Sequence, residues 1–568
     1  MREVSMIKVS LSRTAQFVSA LAAALLFCNG LQAAERVGDF SLLDQIGNHH
    51  KMSWYDDHQS IAFLVQANGS QASTAAIPAY IELQKKYSSQ GIQFFMINPK
   101  GLLDRDAVAA EVSQFTNEIP VLMDDSQIVS EALGVDKSGE VFLYDPRSFR
   151  VVFRGPAGAE FESAMMAILD GREIASASVP MQGADVNYPA KTAVSYEKEI
   201  APIIAENCAT CHREGGIAPF ALNSHSMAQG WSPMIREVLM TKRMPPGQVD
   251  PHVHKFINDR NLAIEESQKL IRWIEAGSVR DGETDPLSLL TWPETKWNVS
   301  SEPDLIVKIP AQRIPATGVV DYINIQVPVV GMEKDRWLRA SEFIPGDRTV
   351  MHHATGTLAG GGLAGGSDVA VLNRYVPGSE PRIEPPNTGG LLKKDSVIDI
   401  TLHYTTSGKE AVDESEFGLW FYPEGVVPED RMKARMVGVF GSAWENIPPY
   451  AKNYEMSSSF VLSEDADVYQ YHPHMHFRGK DLRMIADYPD GTREVLINIA
   501  NYSYAWQLTY DLEEPIFLPK GTKITSVGRF DNSAQNPANP DPSYSIPWGE
   551  QSWDEMFFGE IIWKTRNN

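Results

Sequence analysis

The chain has 568 residues, too many for one hydrophobic core, and its length fits roughly three or four domains. With 43% hydrophobic and 22% charged residues it has the composition of an ordinary soluble protein. A formal net charge of -23 argues against nucleic acid and anionic membrane surfaces as partners.

Residues 1–34 read as an export signal. Arg2, Lys8 and Arg13 precede the apolar run "FVSALAAALLF", and small residues follow at "LQAAER". Elsewhere no apolar stretch has the length of a membrane span, so the sequence predicts a periplasmic or secreted protein with no span after signal removal. Only Cys28, Cys208 and Cys211 occur, and the first leaves with the signal. The remaining two, three residues apart, are committed to one local task.

From 35 to 178, "IAFLVQ", "IQFFMINP" and the pair "EVFLYD" and "RVVFRG" read as strands, with "AYIELQKKYSSQ" as an amphipathic helix. Alternating strands and helices predict a small α/β domain. This stretch resembles the thioredoxin-like redoxin domains, in which a cysteine follows the first core strand and a cis-proline faces it. The matching positions here are Ser70 and Ser73 for thiols and Gly139 for the proline, so the resemblance implies the fold without its redox chemistry. A structural or docking role is expected, and His49, His50 and His58 read as surface residues. Residues around 176–192 read as a linker.

Residues 195–288 turn helical, in "YEKEIAPIIAENC", "WSPMIREVLMTKR" and "IEESQKLIRWIEAG". "NCATCH" supplies Cys208, Cys211 and His212 in the C-x-x-C-H layout. In that layout both thiols bond the vinyl groups of heme c and the histidine becomes the axial iron ligand. A zinc knuckle lacks two further ligands nearby, and a thioredoxin-type pair lacks its flanking strand. The sixth ligand is expected to be Met244 on the "KRMPPG" turn, with Met234, Met240, His252 and His254 as competitors. The segment resembles the all-α cytochrome c modules of periplasmic oxidoreductases.

Beyond 297, short runs such as "DYINIQVPV", "SVIDITLHYTT", "LRMIADYP" and "EMFFGEIIWK" alternate with turn residues, which predicts two tandem antiparallel β-sandwiches. Six of the 13 histidines fall between 352 and 476, a density that favours metal ligation over core or surface roles. His352 and His353 are neighbours, which on a straight strand face opposite ways, so a shared ion needs a strand end or a bulge. His403 lies in a strand that can run alongside. In "YHPHMHFRGK", His472, His474 and His476 share one strand face, which leaves two or three ligands open. Pro473 suggests a sheet edge or a bend there.

The adjacent His pair, the later "HY", the H-x-H followed by "GK" and a Met near the C-terminus occur together in order. This region resembles the copper type II, ascorbate-dependent monooxygenases, the family of peptidylglycine α-hydroxylating and dopamine β-monooxygenases. The resemblance implies jelly-roll sandwiches over 298–445 and 446–568 and two copper ions. His352, His353 and His403 would hold the electron-transfer copper. His474, His476 and Met556 would hold the oxygen-activating one, the thioether favouring Cu(I). His472 then falls to a place beside the metal or in the cleft.

The leading expectation is hydroxylation of a small-molecule substrate by O2, with electrons relayed from heme c and supplied by a periplasmic donor. Two other classes fit the same residues. One is a copper-binding electron carrier without an open cleft, and the other is a sensor or scaffold recruited through the thiol-less domain.

Overall fold

The computed structural model describes residues 36–101, 104–292, 296–358 and 370–566. The expected export signal, with Cys28, lies outside them. The first seven strands are β1 (Ser41–Asp44), β2 (His49–Lys51), β3 (Ser60–Val65), β4 (Ile92–Asn98), β5 (Val121–Met123), β6 (Val141–Asp145) and β7 (Arg150–Gly155). They form one sheet in the order β2-β1-β5-β4-β3-β6-β7. β3 reads SIAFLV and is buried throughout, as a central strand covered on both faces must be. It runs parallel to β4 and antiparallel to β6. Four helices follow the strands: α1 (Gln71–Tyr87), α2 (Arg105–Val112), α3 (Ile128–Ala132) and α4 (Ala159–Leu169). α1 starts at Ser70, whose hydroxyl accepts the Ser73 N–H, and ends with Lys85 and Lys86 near its negative pole. The parallel β3–α1–β4 unit flanked by the antiparallel β6–β7 hairpin is a thioredoxin-like fold.

A helical stretch follows. A π-turn at Tyr196–Ile200 leads into α5 (Ala201–Asn207), and α6 (His225–Met240) and α7 (Ile264–Glu275) come after it. Tyr196, Ile200, Ile204, Leu270 and Trp273 form its core. The expected linker before it is not a free tether. Ala177 and Val179 join β7 through backbone hydrogen bonds to Arg154, and the Tyr188 hydroxyl donates to Val135 O at 2.5 Å.

The rest is β. The strands are β8 (Leu305–Lys308), β9 (Gln312–Ile314), β10 (Ile323–Pro328), β11 (Arg336–Ile344), β12 (Met351–Leu358), β13 (Arg382–Ile383), β14 (Gly390–Leu392), β15 (Val397–Tyr404), β16 (Ala411–Asp413) and β17 (Glu416–Phe421). Sheets β10-β15-β12 and β13-β11-β17-β8 enclose one core containing Phe343, Ile400, Leu402 and Phe417. The second sandwich comprises β18 (Met432–Val439), β19 (Tyr454–Val461), β20 (Ala466–Met475), β21 (Gly479–Asp487), β22 (Arg493–Ile499), β23 (Tyr510–Leu518), β24 (Lys523–Phe530) and β25 (Phe557–Thr565). Its sheets are β18-β25-β20-β23 and β19-β24-β21-β22, around Tyr471, Met475, Met484, Phe530 and Phe557. The sequence boundary at 445/446 is therefore displaced. β18 pairs with β25 from Met432 through Val439, so the second sandwich begins before residue 432, drawn there by its last strand.

The pieces interlock. Met240 of α6 and Ile271 of α7 join the core on one face of the thioredoxin-like sheet, and Val249 and Phe256 join the core of the second sandwich. Between them lies Asp250, its side chain fully buried. Its carboxylate accepts from Arg105 of α2 at 2.8 Å and from Asn498 of β22 at 2.8 Å. His49 and His50 are not surface residues, contrary to the sequence expectation. His49 is buried beside Trp54 with both ring nitrogens unpartnered, and His50 bonds Tyr55 at 2.8 Å and Asp44 at 3.0 Å. Burial holds the His49 imidazole neutral, aided by Lys242 and Lys480 from the two neighbouring regions.

Candidate metal centres

The thioredoxin-like domain offers no thiol. Ser73 Oγ donates to Val65 O at 3.0 Å and accepts the Ala67 N–H at 3.1 Å, while Ser70 Oγ bonds Ser138 Oγ at 2.8 Å. Gly139 has φ +80, and a Cβ there would meet Ala72 O at 2.7 Å, so the expected proline position accepts only glycine.

Cys208 ends α5, and the Cys211 and His212 N–H groups both donate to Cys208 O, at 3.2 and 2.9 Å, in the tight turn that C-x-x-C-H requires. Burial pushes the Cys208 thiol up to about 12, which removes the thiolate that disulfide exchange needs. His212 Nδ1 lies 3.2 Å from Phe220 O, a contact that orients the ring. Phe220 stacks on Trp231 at 4.1 Å, and both, with Ile235 and Cys208, are only partly buried. A flat apolar group would cover this surface, so the residues fit heme c.

Three of the four ligand competitors are engaged elsewhere. Met240 is in the core, His252 pairs with Asp125 at 2.6 Å and His254 with Glu494 at 3.1 Å. Met234 is 45% exposed on α6, and half-buried Met244 sits on the turn just beyond that helix.

The histidines converge by strand geometry. β12 and β15 pair antiparallel with His353 opposite His403, and the register shifts between Met351 and His353, the bulge that lets neighbours share a face. Ligand nitrogens of His352, His353 and His403 all lie within 4.8 Å of one another, and His352 Nδ1 is 3.0 Å from His353 Nδ1. Burial depresses all three: His352 falls to about 3, His403 to about 4, and His353 goes well below its ordinary value. Three neutral imidazoles with converging lone pairs suit copper or zinc.

On β20, His472 lies opposite Glu560, His474 opposite Phe558 and Met475 opposite Phe557 of β25. Met556 immediately precedes β25, next to the Phe557 that pairs with Met475. His474 and His476 have ring centroids 5.1 Å apart. The Asp554 carbonyl lies 3.4 Å from His476 Nδ1, while Glu555 accepts the His476 N–H at 2.9 Å and the Arg478 N–H at 2.6 Å. Burial lowers His476 to about 4 and holds His474 well below its ordinary value. A thioether such as Met556 would suit Cu(I) as a third donor beside two imidazoles. His472 is committed to the chain: its Nδ1 is 3.3 Å from Thr509 Oγ1, and Glu560 across the strand is ion-paired to Arg374. Pro473 is at an edge only on one side, because pairing with β23 stops at Tyr471 while pairing with β25 continues.

Sequence reasoning missed the tyrosines joining the two clusters. Tyr504 stacks on His352 at 4.6 Å, lies 6.1 Å from His476, and its hydroxyl is 3.3 Å from His403 Nδ1. Tyr322 stacks on His403 at 4.4 Å, and both tyrosine hydroxyls meet Ser552 Oγ. A cavity of about 70 Å³ is lined by Arg374, Gln507, Thr509, Asp511 and Glu560.

No family model and no curated protein matches the chain. Among solved structures, a hypothetical protein from Sinorhizobium meliloti matches with 24% identity and TM-score 0.26, covering 28% of this chain and 97% of that one. The exposed lipoprotein thioredoxin of Streptococcus pneumoniae matches with 18% identity and TM-score 0.21, over 23% and 99%. A peroxidoxin from Mycobacterium tuberculosis matches with 21% identity and TM-score 0.19, over 24% and 91%. No helix among the described residues is long and apolar enough to cross a membrane.

Proposed function

We propose that this chain is an exported copper-dependent monooxygenase that hydroxylates a small substrate with O2 and draws its electrons through a covalently attached heme c. The observation that carries the reading is that five buried or half-buried histidines held neutral by desolvation come from two sandwiches, three in one cluster and two in another, with Tyr504 touching His352, His403 and His476 between them. His352, His353 and His403 would hold one copper, and His474, His476 and Met556 the other. Cys208, Cys211, His212 and Met244 would hold heme c. Together the copper and heme would supply one-electron transfer and oxygen activation. The protein's own part is to keep the imidazoles unprotonated, to orient His476 through Asp554 and Glu555, and to exclude water between the sandwiches with Tyr504 and Tyr322. Residues 1–34 would direct export.

One observation favours a second reading, a copper-binding electron carrier. The cavity lined by Gln507, Thr509 and Glu560 holds about 70 Å³, well below the roughly 300 Å³ at which ligand pockets begin. One experiment separates the two. The copper-loaded protein is reduced at the heme without oxygen, then mixed with O2 and candidate metabolite extracts. Monooxygenation gives a hydroxylated product and heme reoxidation that both collapse in Met556→Leu and His474→Ala. Reoxidation indifferent to both substitutions refutes the monooxygenase.

A further inference from the structure

Tyr504 stands between β22 and β23 in the second sandwich, but its side chain reaches the first. Its ring lies nearly flat on His352, with centroids 4.6 Å and planes 18° apart, and its hydroxyl is 3.3 Å from His403 Nδ1. On its own side Phe477 meets the ring edge-on at 4.6 Å and His476 does so at 6.1 Å, while Gln507 Nε2 donates to Tyr504 O at 3.1 Å.

A second tyrosine completes the arrangement. Tyr322 precedes β10 in the first sandwich, stacks on His403 at 4.4 Å and lies 5.5 Å from His353. Its hydroxyl and that of Tyr504 both bond Oγ of Ser552, a buried residue on the segment leading into β25. Every histidine of the first cluster therefore touches a ring tied to Ser552, and His476 of the second cluster shares its ring with His352. An ion that fixed His352 and His403 would fix Tyr504 with them. The surface against which His476 packs would then already be ordered when a second ion arrived.

We propose that Tyr504 is a positioning residue shared by the two clusters, through which occupancy of His352, His353 and His403 tightens binding at His474 and His476. This rests on the metal reading above, not on its oxygen chemistry, and adds that the two sites fill cooperatively. The coupling is conformational, moves no electron or proton, and is reciprocal.

The test titrates the full-length protein with Cu(I) against a competing chelator, without oxygen. Affinity at His474 and His476 is read with the first cluster filled and with it disabled by His353→Ala. The parent should bind about tenfold more tightly in the first case, within the usual range of coupling between sites. In Tyr504→Leu that ratio should fall to about one, the value for independent sites. Tyr504→Phe keeps the ring on His352 but loses the contacts with His403 and Ser552, and should retain part of the coupling. Tyr510→Phe, which removes a hydroxyl bonded to Gly247 O at 3.0 Å, should lower Tm and leave the ratio at its parent value. Independent sites in the parent overturn the proposal, as does an unchanged ratio in Tyr504→Leu. A parent that binds no copper refutes the metal reading and the proposal with it. Coupled sites in protein that yields no hydroxylated product uphold the proposal and refute the monooxygenase.

Discussion

The thioredoxin-like domain and the paired sandwiches bury polar side chains at equivalent depth but to opposite effect. In the first, Ser73 spends its hydroxyl on Val65 O and the Ala67 N–H, and Ser70 spends its own on Ser138 and the start of α1. In the second, His352, His353 and His403 aim nitrogens at one another across 4.8 Å or less, with burial keeping each neutral. A buried polar group whose bonds close inside the chain maintains a fold. One whose ring nitrogens converge on a shared point is a ligand in waiting.

The largest effect should come from breaking the second pattern. His353→Ala is expected to reduce bound copper from two ions to one per chain by elemental analysis. Affinity at that site should fall by more than about 100-fold, the upper range for losing a mere supporting hydrogen bond. Ser70→Ala, Ser73→Ala and His472→Gln should all retain two. Equal copper in His353→Ala and the parent would erase the distinction between the regions.

A smaller effect lies in the thioredoxin-like domain. Burial raises the Glu140 carboxyl from 4.5 to about 7, although Arg154 lies 3.6 Å away and opposes the shift. The folded state therefore holds a proton that the unfolded chain has released. The stability this represents is complete below pH 4.5 and lost as pH rises through 7. Glu140→Gln should flatten that slope and exceed the parent at pH 8 by up to about 3 kcal/mol in denaturant titrations. A parent whose stability does not fall across this range would show that Arg154 wins. Smallest is Ser73→Ala, which should cost about 1–2 kcal/mol of stability and leave heme reoxidation untouched. A change in heme kinetics would give the silent domain a part in the chemistry.

Much of this could be read in the sequence where a signal repeats at a fixed period. The apolar runs of β3 and β4 mark the α/β sheet, the C-x-x-C-H turn is complete within five residues, and alternate histidines on β20 announce a shared face. Neighbouring His352 and His353 even required the bulge that the β12–β15 register displays. Illegible features depend on residues far apart in the chain. β18 carries no mark assigning it to the sheet of β25, more than a hundred residues later. Tyr504, Tyr322 and Ser552 are lone residues without periodicity, yet they join the two clusters. His49 and His50 sit in a polar stretch that reads as exposed, and packing around Trp54 and Tyr55, beside segments carrying Lys242 and Lys480, makes them interior.

The Asp250 junction bears on why a domain that has lost its thiols still occupies a quarter of the described fold. The three partners are separated by 145 and 248 positions in sequence, so the junction closes only after all three regions have folded. Cutting away the thioredoxin-like domain would take Arg105 with it and remove both the ion-pair partner and part of the cover of Asp250. In the intact chain, removing the buried guanidinium alone costs roughly 3–5 kcal/mol, a large share of what holds an ordinary domain together. The domain thus works as a counterweight: its chemistry is dispensable, but its guanidinium is not.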